Sequence, residues 1–370
     1  MSKGLEDVVA GPSAITFIDG ARGRLSYRGY DIGDLAAQSN YEEVAYLLWN
    51  ERLPSPGEFE PFVKDLRSRR ALPAGVRLSL DSLSRDCDTM DAVEMAVAAL
   101  GIYDGPYMSV VERAASVASK LGSIVAYIHQ HKHLLPHLEP REDLGFAANL
   151  LYMLNGEEPD GDSVRLMDMI LVLHADHELN ASTFTARIVA STLSDMYSSV
   201  TAAVAALKGP LHGGANEEVV AMVEEVRTPE RAEPYLLDKL ARKEKVMGFG
   251  HRIYKGNDPR AVIIRDFAGR IARTEEQKKN LAILDGLAAA MIRERGIYPN
   301  LDFYSGFVLH YLRIPTYLFT PVFAVGRTPG WLAHVMEQYS NNRIIRPLAE
   351  YVGPRDATYV PIGERGSLRG

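Results

Sequence analysis

The sequence predicts a mainly α-helical protein. Apolar residues recur at helical spacing along most of the chain, start and stop signals bracket those stretches, and only one N-terminal segment alternates as strands do. That segment, residues 14–18 and 24–27 around Asp19-Gly20-Ala21-Arg22-Gly23, reads as a short β-hairpin. Ser39-Asn40-Tyr41-Glu42 then has capping-box spacing, and Val44, Leu47 and Leu48 supply the stripe of a helix that should stop before Pro54. Ser55-Pro56-Gly57-Glu58 repeats the start signal with Pro56 at the tolerated first position, followed by Phe59, Phe62, Val63 and Leu66. Pro61 counts against the first turns of that helix. Further stripes are Val93, Ala96, Val97, Leu100 and Val110, Ala114, Val117, Leu121, Ile124, Ile128. Residues 194–207 are mostly Ala, Ser, Thr and Val and end at Lys208-Gly209-Pro210, a stop signal. Such a helix suits a core or a subunit interface.

With 370 residues, 46% hydrophobic and 24% charged, the chain can build one large or two compact units without disulfides or metals. Its single cysteine, Cys87, excludes an intramolecular disulfide and fits a reducing compartment. No apolar run reaches the ~18 residues of a membrane span. The opening MSKGLEDVVAG lacks the apolar core of a secretory signal, so a cytoplasmic location is expected. A net charge of −7 leaves no general nucleic-acid footprint. Any anionic substrate must therefore be held by basic groups gathered locally.

Four segments concentrate residues suited to chemistry. In Lys208-Gly209-Pro210-Leu211-His212-Gly213-Gly214-Ala215-Asn216, a helix stops and another should start near Asn216, with Glu217 and Glu218 in its first turn. His212 then precedes a helix N-terminus, which disfavours imidazolium and leaves a neutral donor for a developing enolate oxygen. A connecting turn with a capping histidine is the plain alternative. Gly248-Phe249-Gly250-His251-Arg252-Ile253-Tyr254-Lys255-Gly256-Asn257-Asp258-Pro259-Arg260 frees backbone amides beside Lys255 and Arg260, yet lacks the ending of a P-loop. In Tyr298-Pro299-Asn300-Leu301-Asp302-Phe303-Tyr304-Ser305-Gly306, bulky neighbours should raise the basicity of Asp302; a helix cap, with a turn at Ser305-Gly306, is the plain alternative. Arg327 and Arg343-Ile344-Ile345-Arg346-Pro347 offer guanidinium forks for carboxylates, or surface ion pairs.

KGPLHGGAN, GFGHRIYKGNDPR, YPNLDFYSG and RIIRP, in this order, resemble the citrate synthase family. TFIDGARGRLSYRGYDI and LHADHELNASTFTAR add support, and the likeness runs from about GLEDV to YVGP. The resemblance implies a large helical domain from both chain ends, 1–212 and 314–370, and a smaller helical domain, 213–313, that closes over substrate. It implies condensation of acetyl-CoA with oxaloacetate and water to citrate and CoA through an enol and citryl-CoA. Asp302 would be the base, His212 the donor to the thioester oxygen, and His251 the acid at the oxaloacetate carbonyl. His177, Arg260 and Arg327 would hold oxaloacetate, with Arg346 reaching in from the partner of a homodimer. Val246, Met247, Gly248, Phe249 and Gly250 would meet the adenine, Lys255 a CoA phosphate, and Asn300 the thioester. No tightly bound cofactor is implied; the coenzyme A thioester is a substrate.

After His177 the chain reads Glu-Leu-Asn where some members carry an extra glycine, and no extension of the kind seen in NADH-inhibited relatives precedes the likeness. This suits the short, dimeric form. His129, His131, His133 and His137 cluster at a helix end, with His133–His137 at ligand-like spacing, but no cysteine or acidic cage accompanies them and no metal site is expected. His174 and His177, three apart, should share a helical face, His174 being structural. Two alternatives stand beside citrate synthesis. One is a 2-methylcitrate synthase using propionyl-CoA, since one methylene is worth only ~1–3 kcal/mol of discrimination. The other is a catalytically silent helical CoA-binding scaffold, against which His212, His251 and Asp302 together argue.

Overall fold

The computed structural model describes residues 4, 8–105, 107–213 and 215–365, with the backbone alone at Ala215. Leu5–Asp7 of GLEDV, Gly214 of the His212 motif and the last five residues of the expected large domain lie outside the described residues. Strands β1 (Thr16–Asp19), β2 (Arg24–Tyr27) and β3 (Tyr30–Asp31) form one antiparallel sheet in that order. The hairpin is where the alternation placed it; β3 is an addition.

Sixteen α-helices follow among the described residues. The first ten are α1 (Ile32–Gln38), α2 (Tyr41–Asn50), α3 (Pro56–Ser68), α4 (Ala74–Asp81), α5 (Thr89–Tyr103), α6 (Val110–His133), α7 (Phe146–Asn155), α8 (Gly161–His174), α9 (Ala181–Ser191) and α10 (Met196–Leu207). Then come α11 (Ala215–Val226), α12 (Ala232–Ala241), α13 (Pro259–Ile271), α14 (Glu275–Arg295), α15 (Leu301–Tyr311) and α16 (Phe319–Ser340). The stripes on α5 and α6 are buried except at Val110. The capping box of Ser55 and Glu58 starts α3, which runs through Pro61. At α2 the cap is Asn40, whose side chain accepts the Glu43 N–H at 2.9 Å; Ser39 bonds the Glu43 carboxylate instead. Ser305-Gly306 lies inside α15 rather than in a turn.

Helix α16 is the spine. It is buried on nearly every side and packs against α2, α6, α8, α9 and α10, while α11 to α15 pack largely on one another. Pro329 has no N–H to give, and the N–H of Gly330 leaves the helix to meet the Ala175 carbonyl at 3.1 Å. A Cβ on Gly330 would stand 2.2 Å from that oxygen and 2.5 Å from Asp176 Oδ1. The glycine is what allows residues 175–177 to lie directly on α16. No helix among the described residues is long and apolar enough to cross a membrane.

Candidate active site

Gly248 and Gly250 both adopt left-handed backbone, φ +81° at each. This lets residues 248–250 run antiparallel to 298–300. The Gly250 N–H donates to the Tyr298 carbonyl and the Asn300 N–H to the Gly248 carbonyl, each at 2.9 Å, and Phe249 bridges Pro299. The Asn300 amide donates to the Gly250 carbonyl at 3.1 Å, while its oxygen caps α15 at the Asp302 N–H, also at 3.1 Å. The loop of His251 and the helix of Asp302 thus share one brace.

His251 Nδ1 accepts the backbone N–H groups of Ile253 (3.0 Å) and Tyr254 (3.3 Å). Those groups can only donate, so the ring proton sits on Nε2. Burial, and next Arg260, push the ring down to about 4, leaving it neutral at neutral pH.

His212 lies in the turn after α10. Its Nε2 lies 2.9 Å from the Ser182 hydroxyl and accepts the Ser182 N–H at 3.4 Å, so Nδ1 carries the proton. Trp331 Nε1 donates to the same hydroxyl at 3.0 Å. Ser182 is the second residue of α9, so the start of α9 faces this imidazole, a contact that its place in sequence does not suggest. Burial, and next Arg327, push His212 down to about 4. The neutral state agrees with expectation; its main cause is desolvation.

Helix α8 ends at His174, and His177 lies beyond it, so the two do not share a helical face. His174 Nδ1 donates to the Ile170 carbonyl at 2.7 Å, a structural bond. His177 Nε2 lies 3.2 Å from the Tyr254 hydroxyl. Burial and the charges of Arg260 and Arg327 hold His177 well below its ordinary value. Glu178 turns the chain with φ +54°, where the sequence left the backbone open. The N-terminal hairpin props this segment: the Thr16 hydroxyl donates to Asp176 Oδ2 (2.5 Å) and the Tyr27 hydroxyl to the Asp176 carbonyl (2.9 Å). It also props the His251 loop, where the Lys255 N–H donates to the Gly20 carbonyl at 3.2 Å.

Arg260 is buried in a two-point contact with Asp258, Nε to Oδ1 at 3.0 Å and Nη2 to Oδ2 at 2.8 Å. Arg327 is buried, donates to the His174 carbonyl and lies over the Phe323 ring; burial lowers it to about 10. Asp302, the second residue of α15, is mostly shut in, and burial pushes its carboxyl up to about 6 against the pull of Arg260 and Arg327. His177, Asp302 and Arg327 therefore share one field with Arg260, as does His212 through Arg327. A carboxylate of raised basicity, two neutral imidazole donors of defined tautomer and two arginines suit proton abstraction beside a carbonyl compound bearing carboxylates.

The remaining expected residues lie apart. Lys255 is exposed, and Val246 and Met247 are half-buried. Met247 lines a cleft of about 740 Å³ with Lys132, Lys208 and Lys245, beside the His212 turn. Arg346 is exposed beyond α16, next to Ile345, whose N–H donates to the Ser191 hydroxyl at 3.0 Å. Of the other histidines, His129 and His133 lie 5.2 Å apart beside Tyr317, and no group of three potential metal ligands forms among the described residues. His129 bonds the Tyr317 hydroxyl and His137 stacks on Tyr127. Since α6 ends at His133, the His133–His137 spacing is not helical. Ser182, Trp331, Tyr254 and Asp258 were not singled out from sequence, although Ser182, Tyr254 and Asp258 fall within quoted motifs.

A family model described as "Citrate synthase, C-terminal domain" matches residues 4–348. The chain is 45% identical to "Citrate synthase 2" of Bacillus subtilis, covering 98% of this chain and 99% of that one. It is 38% identical to a 2-methylcitrate synthase of Shewanella oneidensis, covering 98% and 97%. A solved ternary complex of citrate synthase from Thermoplasma acidophilum with carboxymethyl coenzyme A and oxaloacetate superposes with a TM-score of 0.93 at 35% identity, covering 99% of each chain.

Proposed function

The chain belongs to the citrate synthase family, and on that premise we propose that its site condenses acetyl-CoA with oxaloacetate and water, giving citrate and CoA. The observation that carries this reading is the pairing of an Asp302 carboxyl raised to about 6 with two neutral imidazoles whose protons are placed by backbone N–H groups.

Asp302 takes a methyl proton from acetyl-CoA while His212 Nδ1–H donates to the thioester oxygen, so the charge leaving carbon is met by a hydrogen bond. The enol carbon attacks the carbonyl of oxaloacetate. His251 Nε2–H donates to that oxygen and passes its proton to the alkoxide, completing citryl-CoA. Water then cleaves the thioester, releasing citrate and CoA thiol. Arg260, Arg327 and His177 hold the dicarboxylate, and Arg346 of a second copy completes the site in a homodimer. Backbone groups of 246–250 meet the adenine, Lys255 a phosphate, and Asn300 the thioester through the brace it makes. Residues 213–313 form the smaller domain, closing on 1–212 and 314–370 to exclude water. The steps call for no tightly bound cofactor. The enzyme works in the cytoplasm.

A 2-methylcitrate synthase is the second reading, favoured by the 38% identity to one such enzyme. Thiol release is to be measured with acetyl-CoA and propionyl-CoA, each with oxaloacetate. Turnover favouring acetyl-CoA supports the first reading, a preference for propionyl-CoA the second, and release with neither refutes both.

A further inference from the structure

One polar contact holds the His212 turn from outside the residues assigned above. Thr320, in the first turn of α16, has its hydroxyl 3.1 Å from the buried Gly213 carbonyl and 2.9 Å from Glu217 Oε1. Both oxygens look to one hydroxyl, and a hydroxyl has one proton to give. If Glu217 is a carboxylate, the two compete for it. If Glu217 is a carboxylic acid, its proton goes to Thr320 Oγ1 and the Thr320 proton goes to Gly213, satisfying all three groups. Gly213 directly follows His212, so the competition decides whether the carbonyl next to the imidazole keeps its donor.

We propose that Thr320 is a positioning residue for His212, holding its turn through the Gly213 carbonyl, and that Glu217 sets the strength of that hold by gaining or losing a proton. Burial raises the Glu217 carboxyl above its ordinary value; the hydrogen bonds from the Thr320 hydroxyl and backbone oppose this, and Asp88 and Glu218 add to it. Asp88 faces it from the N-cap of α5 and Glu218 from its own helix, and Asp86 lines the same cleft. The cationic groups on the shared cleft are Lys132, Lys208 and Lys245, and Lys208 is paired with Asp91 and Glu94. The acidic neighbours thus favour the protonated, fully bonded state. As pH rises through the Glu217 titration, the carboxylate draws the Thr320 proton away and the turn loosens. A buried carbonyl without its donor is costly, which gives the switch its force.

The inference rests on the acid–base role proposed for His212, but its first readout does not require turnover. Nitrogen-15 spectra of labelled histidine, with His212 assigned by its variant, report the tautomer of that ring. Native protein and Thr320→Ser should keep the Nδ1–H form, while Thr320→Val should show a mixed or averaged signal with an otherwise native spectrum. In kinetics, Thr320→Val should lose about tenfold in kcat, the size expected for one hydrogen bond. KM for oxaloacetate should stay within about twofold. Thr320→Ser should recover most of the loss. Glu217→Gln, whose amide always donates, should remove the alkaline change in the His212 signal seen in native protein. Thr320→Val with a native His212 signal, or Thr320→Ser as impaired as Thr320→Val, overturns the proposal. An alkaline change that survives in Glu217→Gln overturns the part given to Glu217.

Discussion

The rings of His177 and His251 meet edge to face with centroids 4.9 Å apart, and both face Tyr254, at 5.6 and 4.7 Å. Two imidazoles this close, beside buried Arg260, cannot both take a proton cheaply. The arrangement keeps them as neutral hydrogen-bonding groups. It also gives the fold a dependence on pH.

Stability should fall in mild acid because of the buried imidazoles of His212 and His251. In the unfolded chain a histidine titrates near 6.5, whereas His212 and His251 are held at about 4 in the folded protein. The folded values are depressed, so the stability is complete above about pH 6.5 and is lost as pH falls toward 4. Between pH 7 and 5 each ring should contribute at most about 2 kcal/mol of loss. Denaturant midpoints at the two values check this, and His251→Asn should shrink the difference. An unchanged difference in that variant contradicts the assignment.

Asp302 has the opposite sign. Its folded value, about 6, lies above the ordinary 3.8, so stability is present at low pH and lost as pH rises through 6. Asp302→Asn should abolish turnover yet stabilise the protein at pH 7 by about 1–3 kcal/mol. In the native enzyme, kcat/KM for acetyl-CoA should drop tenfold per unit below about pH 6, because only the carboxylate can take a proton. Thermal melts and a pH–rate profile read both effects.

Gly330→Ala tests how the segment carrying His177 is seated. The new methyl would stand 2.2 Å from the Ala175 carbonyl, and backbone cannot swing aside as a side chain can. A loss of roughly 2–4 kcal/mol is expected. In any protein that remains folded, KM for oxaloacetate should rise, since His177 is two residues away. Equal stability and KM would mean that α16 can yield at this point.

Cross-subunit completion predicts complementation. Arg346→Ala and Asp302→Asn should each be inactive alone. Mixed under conditions that exchange subunits, they should regain activity from heterodimers with one intact site. Exchange demonstrated by mass without any return of activity would show that Arg346 serves its own chain.

Much of the helical content was legible because amphipathic stripes and caps report local physics: α5, α6 and the capping box of α3 follow directly. The spine α16 was not, because a helix buried on almost every side has no polar face, and Pro329 and Gly330 mimic a break. Local rules also misplaced features at helix ends. Asn40 rather than Ser39 caps α2, and α8 stops before His177. The site motifs were visible one by one, as glycine, histidine and arginine clusters. Their convergence was carried by resemblance, since no spacing says that α9 presents Ser182 to His212. The hairpin bracing Asp176 through Thr16 and Tyr27 joins residues that are 160 and 149 positions apart and was equally hidden.

The division of labour between the two central histidines is tested most directly by methyl-proton exchange. Acetyl-CoA is placed in deuterated water with each variant and an unreactive oxaloacetate analogue, and deuterium entry into the methyl group is followed. Scattering with the analogue first establishes that each variant closes. His212→Ala should lose exchange by about 10²–10⁴-fold, the usual range for a positioned acid–base group. His251→Ala should retain much more of it while losing condensation with oxaloacetate itself. A His212→Ala variant that closes and exchanges methyl protons at the native rate would contradict the account.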